Sequence, residues 1–476
     1  MRIFLLGWDH TREDHIEVAI ELQNRSHEII YWSTTSENSK IDRLKFPNTI
    51  LHSHFNASQG IAPPNIDISK FIPISKELIE RFQKTESLVL SMMNKRFDWM
   101  CTDERKNLYF KILEYWNGIL KKYNPDLIIF SAIPHTVYDY IVYELAKDIG
   151  IKTIMFDSTL ISDRYIVLED FRKGSRLLAR ELENNSFKKY SLNDLSHDVR
   201  EYYNKQTNQF YDSTPDYTKE DKKNNTTQKI FLKKLKVIID SIKNGSIIWR
   251  FFNYIFKSFG DNIKKEYLSI QVDPDFSKKF IYLPLNYQPE CTTSPQGDIF
   301  VNQILMIKII SYSIPDDWVI YIKEHPSQWF PRGLNFFSSR FKGYYEEISK
   351  FKNTYIIPIK TNTYELINKS QAVATVTGTA GWEAVLRSKP AIIFGYPWYQ
   401  NCPIILRVQD VESCKKAIQR IISGNIDNKD KVFNFLKALD NTSIKMYISS
   451  YIEKQSMLSK IENAKNILKA ILNEIY

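Results

Sequence analysis

The amino-acid sequence predicts an α/β protein built from two doubly wound units, each a parallel sheet with helices on both faces. Three observations lead there. The chain has 476 residues, more than one ordinary hydrophobic core accommodates. Short apolar runs alternate with helical stretches near the N-terminus and again from residue 279, which is the pattern of βαβ units. Between the two blocks, residues 160–270 are polar, aromatic and mostly helical in pattern.

The first unit reads as strand 3–8 (IFLLGW), a helix at about 12–25, strand 28–33 (EIIYWS) and a helix near 104–122. Strand 126–130 (DLIIF), helix 137–148 and strand 151–156 (IKTIMF) follow, with Gly150 standing where a helix C-cap glycine belongs. Residues 1–270 are assigned to this N-terminal unit, with about 160–270 as a helical insertion. Within the insertion, KEDKKNNTTQK (219–229) reads as a linker or exposed loop. The stretch IIWRFFNYIFKSF (247–259) reads either as a helix on the domain interface or as an amphipathic segment on an anionic membrane.

The second unit, 271–430, reads as strand 280–285 (FIYLPL), a helix near 299–312, strand 318–323 (WVIYIK) and a helical stretch near 337–350. Strand 355–359, helix 362–369, strand 372–377 (AVATVT), helix 380–388 and strand 390–394 (PAIIF) complete it. Residues 431–476 are expected to be C-terminal helices. Two Rossmann-like domains facing each other across a cleft are the GT-B architecture of glycosyltransferases.

The composition bounds the partners. A net charge of +10 favours anionic ones. No paired zinc-ligand spacing or RRM-type aromatic motif is present, so nucleic acid is not expected. The four cysteines, Cys101, Cys291, Cys402 and Cys414, lie far apart without CxxC spacing, which fits reduced thiols in a cytoplasm. The opening MRIFLLGWDH lacks a cleavage-site pattern, and no window of 18 apolar residues exists. The expected location is cytoplasmic, with at most a peripheral contact on the inner face of the cytoplasmic membrane.

In doubly wound sheets ligands bind beyond the carboxyl ends of the strands. One such end is TVTGTAGWE (375–383). A helix N-terminus offers free N–H groups and a partial positive charge, glycines admit a phosphate, and hydroxyls add donors. Thr377, Gly378, Thr379, Ala380 and Gly381 therefore form a candidate phosphate cradle. The alternative is a plain capped helix, with Thr379 as N-cap and Gly381 there for close packing. Glu383, placed in the first turn, either accepts hydrogen bonds from a ribose or complements the helix dipole. A second end is Lys323-Glu324-His325-Pro326, where proline stops the strand. Lys323 supplies charge, and His325 suits a phosphate contact or a general acid to a leaving group. The third is PLNYQPECTTSPQG (284–297), whose Gln288, Glu290, Thr292, Thr293 and Ser294 are candidates to line the cleft or to cap the next helix.

In the N-terminal half, SAIPHTVYDY carries His135 and Asp139, and FDSTLISDRY carries Asp157. A carboxylate or imidazole there suits deprotonation of an acceptor hydroxyl. Asp157 is the first choice and His135 the second; Asp9 and His10, at the end of the first strand, are further candidates. No metal is expected. DPD (273–275) precedes its strand and reads as a turn, and no HExxH or Cys/His cluster exists. A Ser-His-Asp hydrolase fits poorly without a GxSxG elbow.

The segments PLNYQPECTTSPQGDIFVNQ, IYIKEHPSQW and VTGTAGWEAVLRSKPAIIFGYPWY resemble the bacterial capsular polysaccharide synthesis family, over about 284–400. IPHTVYDYIVYELAKDIGIKTIMFD adds a looser match at 133–157. The resemblance implies a GT-B transferase whose donor is a CMP-activated acidic sugar, Kdo or a nonulosonic acid of sialic or pseudaminic type. It implies that His325 and Pro326 hold the cytidine monophosphate, and that Thr377, Thr379 and their glycines bind its phosphate. The N-terminal domain then takes a glycan or lipid-linked glycan acceptor, and no cofactor is needed beyond the nucleotide sugar. The rival readings are a UDP- or GDP-sugar transferase on the same fold and a non-catalytic scaffold of capsule assembly.

Overall fold

The computed structural model describes residues 1–34, 41–64, 66–97, 99–208, 263–328, 339–424 and 429–476. The described strands are β1 (Arg2–Leu6), β2 (Glu28–Thr34), β3 (Ile50–Ser53), β4 (Leu127–Phe130), β5 (Lys152–Ser158), β6 (Arg164–Leu168), β7 (Lys279–Pro284), β8 (Trp318–Lys323), β9 (Thr354–Ile356), β10 (Ala372–Thr375), β11 (Ala391–Ile393), β12 (Ile405–Arg407) and β13 (Ile444–Lys445). They form two sheets, in the orders β13-β6-β5-β4-β1-β2-β3 and β12-β11-β10-β7-β8-β9. The second sheet is parallel throughout. The first is parallel from β5 to β3, with β6 and β13 antiparallel at one edge.

Strands buried on both faces need apolar runs rather than alternation, and β4 (LIIF) is buried at all four residues. In β1, Ile3 and Leu5 join one core while Phe4 and Leu6 join the other. Helix α1 (Glu13–Asn24) opens on two acidic residues that complement its dipole. Helices α2 (Gln83–Met93), α3 (Thr102–Tyr123) and α4 (Tyr138–Asp148) pack on the opposite face. Helices α5 (Gln303–Ser313) and α6 (Thr379–Leu386) belong to the second sheet. The last helix, α7 (Lys460–Ile475), starts with a Ser459–Glu462 capping box and buries Ala464, Ile467, Leu468 and Ile471 on one stripe. That stripe lies against α1, where Asn463 donates to Asp14 at 2.7 Å.

The two Rossmann-like units meet through named contacts. Trp382 donates to the Tyr202 hydroxyl at 2.9 Å, and Gln400 to the Phe171 carbonyl at 2.8 Å. Ser294 donates to the Leu88 carbonyl at 3.3 Å, and Lys84 pairs with Asp298 at 2.7 Å.

Several expectations are corrected. The 431–476 tail is not helical throughout: β13 pairs with β6 and extends the N-terminal sheet. The 160–270 insertion begins with a strand, β6, which forms an antiparallel hairpin with β5. Its last helix, Ile263–Ile270, packs in the second unit, where Tyr267 joins the core and Glu266 accepts from the N–H groups of Gly343 and Tyr345. The 299–312 helix is broken into a short 3₁₀ turn and α5. The stretch near 337–350 is helical only at Tyr344–Ser349 among the described residues. The expectations for 219–229 and 247–259 lie outside the described residues. Among those described, no helix is long and apolar enough to cross a membrane.

Candidate active site

The order of the second sheet reverses between β7 and β10, so its switch point lies where these two strands end. One residue absent from the sequence-based candidates sits there. Buried Asn286, just past β7, accepts from the Thr375 hydroxyl at 3.0 Å and donates to Thr377 Oγ1 at 3.4 Å. Its own N–H is held by Gln303 of α5 at 2.7 Å. Helix α6 starts directly beyond, with Gly378 as N-cap, so Thr379 is the first helical residue and not the cap. The Gly378 N–H donates to Thr375 Oγ1 at 3.0 Å. Thr379 is exposed, with Gly378 and Ala380 half-buried beside it, at the start of a first turn whose leading N–H groups lack intrahelical acceptors, while the Gly381 N–H already donates to the Gly378 carbonyl at 3.1 Å.

The other cradle residues act differently from expectation. Thr377 is buried and gives its single hydroxyl proton to the Thr292 carbonyl, so it fastens a loop rather than donating outward. At Gly381 the packing alternative holds: a Cβ would stand 2.5 Å from the Tyr399 hydroxyl, which donates to the Gly378 carbonyl at 2.6 Å. Glu383 is in the second turn of α6, not the first; its charge acts on Lys323, Tyr282 and Tyr399.

At the end of β8, Lys323 is buried, donating to the Thr361 carbonyl at 2.9 Å and to Thr363 Oγ1 at 2.6 Å. Burial pulls its pKa down to about 8, against the opposing pull of Glu383. Glu324 does not face a cleft: its side chain is 0% exposed and paired with Arg340 at 2.9 Å. His325 is half-buried and Pro326 exposed. His325 Nδ1 accepts from the Ser327 N–H at 3.1 Å, which leaves the neutral ring's proton on Nε2.

The loop after β7 is tied down as well. Gln288 is buried: its Nε2 donates to the Val301 carbonyl and its Oε1 accepts from Gln303 at 3.1 Å. Thr293 donates to the Glu290 carbonyl at 2.9 Å, and the Ser294 hydroxyl reaches the N-terminal unit at Leu88. These three line no open cleft, because polar groups at the loop's base are consumed in holding it. Thr292 is exposed, and half-buried Glu290 lies 3.9 Å from Lys95, just past α2.

In the N-terminal unit, Asp157 is part of β5, opposite Ile166 of the hairpin, rather than beyond the strand. Burial pushes its pKa up to about 7. Among the described residues it makes no hydrogen bond or ion pair to the second unit. His135 follows β4, with Nδ1 at 2.6 Å from the Ile133 carbonyl. Burial opposes its charge, but Cys291 of the other unit and Asp139 outweigh burial and raise its pKa well above the ordinary value. A histidine held protonated is a poor general base. Asp139, in the first turn of α4, accepts from the Thr136 N–H at 2.7 Å, and Asp9 accepts from the Thr11 N–H at 2.9 Å; both carboxylates hold local turns. His10 is buried. His54, also absent from the candidates, stands between Tyr138 and Arg96, at 3.2 Å from each. Asp275 of the DPD sequence accepts from Ser277 at 3.0 Å and makes a turn.

Two Rossmann-like units, each with polar side chains gathered where strands end, define a protein of the GT-B class. Within that class, the family described as capsule polysaccharide biosynthesis protein matches residues 300–404, the segment that holds both KEHP and TGTAG. The chain is 11% identical to a Thermosulfurimonas dismutans KpsC beta Kdo 2,7 transferase, over 85% of this chain and 98% of that one, with a TM-score of 0.31. It is 11% identical to the UDP-GlcNAc 2-epimerase from Methanocaldococcus jannaschii, over 92% and 98%, with a TM-score of 0.25. The lipopolysaccharide outer core galactosyltransferase WaaB is 10% identical over 100% of both chains, with a TM-score of 0.27. No curated protein sequence matches the chain.

Proposed function

We propose that this protein is a glycosyltransferase of surface-polysaccharide synthesis, moving an acidic sugar of Kdo or nonulosonic type from a CMP-linked donor to a glycan or lipid-linked glycan. The observation that carries the reading is the switch point of the second sheet. There Asn286 and the Gly378 N–H hold Thr375 at the start of α6, so that exposed Thr379 and half-buried Ala380 open the helix N-terminus, in the same sheet as the His325 turn. A helix N-terminus favours an anion. A monophosphate leaving group carries less charge than a diphosphate, so it needs fewer cations. His325 Nε2–H donates to the leaving phosphate. Asp157, with a pKa near neutrality, takes the proton of the acceptor hydroxyl if the anomeric centre inverts, or attacks it if configuration is retained. His135, held protonated, suits an anionic group instead. Calorimetric titration with CMP, UDP and GDP tests the donor class. Binding of CMP alone is expected; tight UDP binding with silent CMP would replace it with the UDP-sugar reading. Sugar transfer or donor hydrolysis by the purified protein separates an enzyme from a scaffold.

A further inference from the structure

Arg340 lies 16 residues from its carboxylate partner in sequence and touches both loops of the donor side. Its Nε donates to Glu324 Oε2 at 2.9 Å and its Nη2 to Glu324 Oε1 at 3.1 Å. The same guanidinium donates to the Asn286 carbonyl at 3.1 Å and to Gln288 Oε1. The far side of Glu324 is equally engaged: Tyr345 donates to Oε2 at 2.5 Å, and the backbone N–H of His325 to Oε1 at 2.6 Å. Four donors thus fill the acceptor sites of one carboxylate. Neither Arg340 nor Glu324 exposes any side-chain surface. A second clasp joins the same loops, since Gln288 and Gln328 exchange backbone-to-side-chain hydrogen bonds at 3.1 and 3.0 Å.

Such a buried pair is costly to desolvate and is weak evidence for stability by itself. Its geometry suggests another use. The guanidinium spans the end of β7, where Asn286 belongs to the switch point, and the end of β8, where Glu324 grips the main chain of His325. We infer that Arg340 is a positioning residue of the donor site: through Glu324 it fixes the His325 backbone against the Asn286 loop, and thereby sets where the imidazole stands. The inference rests on the donor-site reading above, in that it assigns the positioned histidine a ligand.

The test uses the full chain and three variants: Arg340→Lys, which keeps the charge but loses the bidentate fork; Tyr345→Phe, which removes one hydrogen bond from Glu324; and His325→Ala. Histidine-ring NMR comes first, with the His325 signal assigned by its loss in His325→Ala. Arg340→Lys and Tyr345→Phe are expected to shift the His325 signal and leave that of remote His197 in place. CMP binding comes second, as a double-mutant cycle. Arg340→Lys should weaken binding about tenfold in the parent, on the scale of a lost charge-assisted contact. In the His325→Ala background it should weaken binding far less. An unmoved His325 signal in both variants, or losses that simply multiply with His325→Ala, overturns the inference and leaves Arg340 a structural ion pair. If Arg340→Lys does not fold, Tyr345→Phe decides. If the parent binds no nucleotide, the donor-site reading fails, while the His325 signal still reports whether Arg340 and Tyr345 position it.

Discussion

The amide oxygen of Asn286 accepts the hydroxyl of Thr375 at 3.0 Å, which joins β7 to β10 at the point where the strand order of the second sheet reverses. Both residues are buried, so the bond has no water to replace it. Asn286→Ala should destabilise the fold by about 1–3 kcal/mol, the cost of a buried hydroxyl left without its acceptor. Asn286→Asp is the sharper probe. It keeps the acceptor for Thr375 but puts a carboxylate beside the α6 N-terminus. Calorimetry should show nucleotide affinity falling more in Asn286→Asp than its denaturation midpoint falls. Unchanged affinity in that variant moves the phosphate elsewhere.

Gly381 tests the packing role of a residue that the sequence also allowed as a phosphate contact. Gly381→Ala gains about 1 kcal/mol of helix propensity. It also drives a Cβ to 2.5 Å from the Tyr399 hydroxyl and 3.1 Å from Thr375 Cγ2. Overpacking of this kind costs about 1–3 kcal/mol, so the net effect is destabilising. In a Tyr399→Phe background the hydroxyl is gone and the penalty should shrink. Thermal melts of the four proteins measure this. Equal penalties in both backgrounds contradict the packing account.

The parallel sheets were legible because their strands are long apolar runs closed by punctuation such as Gly150, which adopts φ 77° as a C-cap glycine does. The β5–β6 hairpin was not. Its turn places Leu160 at φ 61° and Ser162 at φ 50°, left-handed positions taken without the glycine or asparagine that normally announces them. The tail strand β13 has two residues, too few for a period to appear. The site divides in the same way. The KEHP and TGTAG strand ends were readable, since local residue type and spacing express a helix N-terminus or a proline stop. Which polar groups point outward was not readable. Thr377, Lys323 and Glu324 look like ligand contacts in sequence, and each is committed to a partner 38 to 85 residues away or to Arg340. Asn286 and Arg340 carry no local signature at all.

Lys323 gives a pH signature of stability. Its pKa is lowered to about 8 by burial, against an ordinary value near 10.4 when unfolded. Between those values the unfolded chain binds more protons than the folded one, so this lysine's contribution makes stability rise with pH through that window. The rise amounts to about 3 kcal/mol by the size of the shift. Below pH 8 both states are protonated and the slope vanishes. Lys323→Met should lack the rise, so the parent-minus-variant difference in urea stability should climb from pH 8 to 10. A flat difference means the ammonium is better solvated than its position implies.

The last prediction concerns the acceptor side, where Asp157 and His135 were the two candidates and their surroundings push them apart. Burial raises the Asp157 pKa to about 7, whereas Cys291 and Asp139 overcome burial at His135 and keep its proton on. Only Asp157 then loses its proton across neutrality, as a base must. Turnover should rise with pH through about 7. The sign for stability is the reverse: the folded state holds its Asp157 proton more tightly, so this contribution to stability is lost as pH climbs from about 4 to about 7. Asp157→Asn keeps the shape of the side chain and removes the base. Nucleotide affinity should be unchanged, turnover should fall by about 10²–10⁴, and the variant's stability should lose that pH dependence. His135→Ala should leave the rise near pH 7 in place and act mainly on binding. If Asp157→Asn turns over at the parent rate while His135→Ala does not, the histidine takes the role. If both keep the parent rate, the base must be sought at Asp9, Asp139 or Glu290, of which Glu290 alone lies on the loop of the second unit that Lys95 approaches at 3.9 Å.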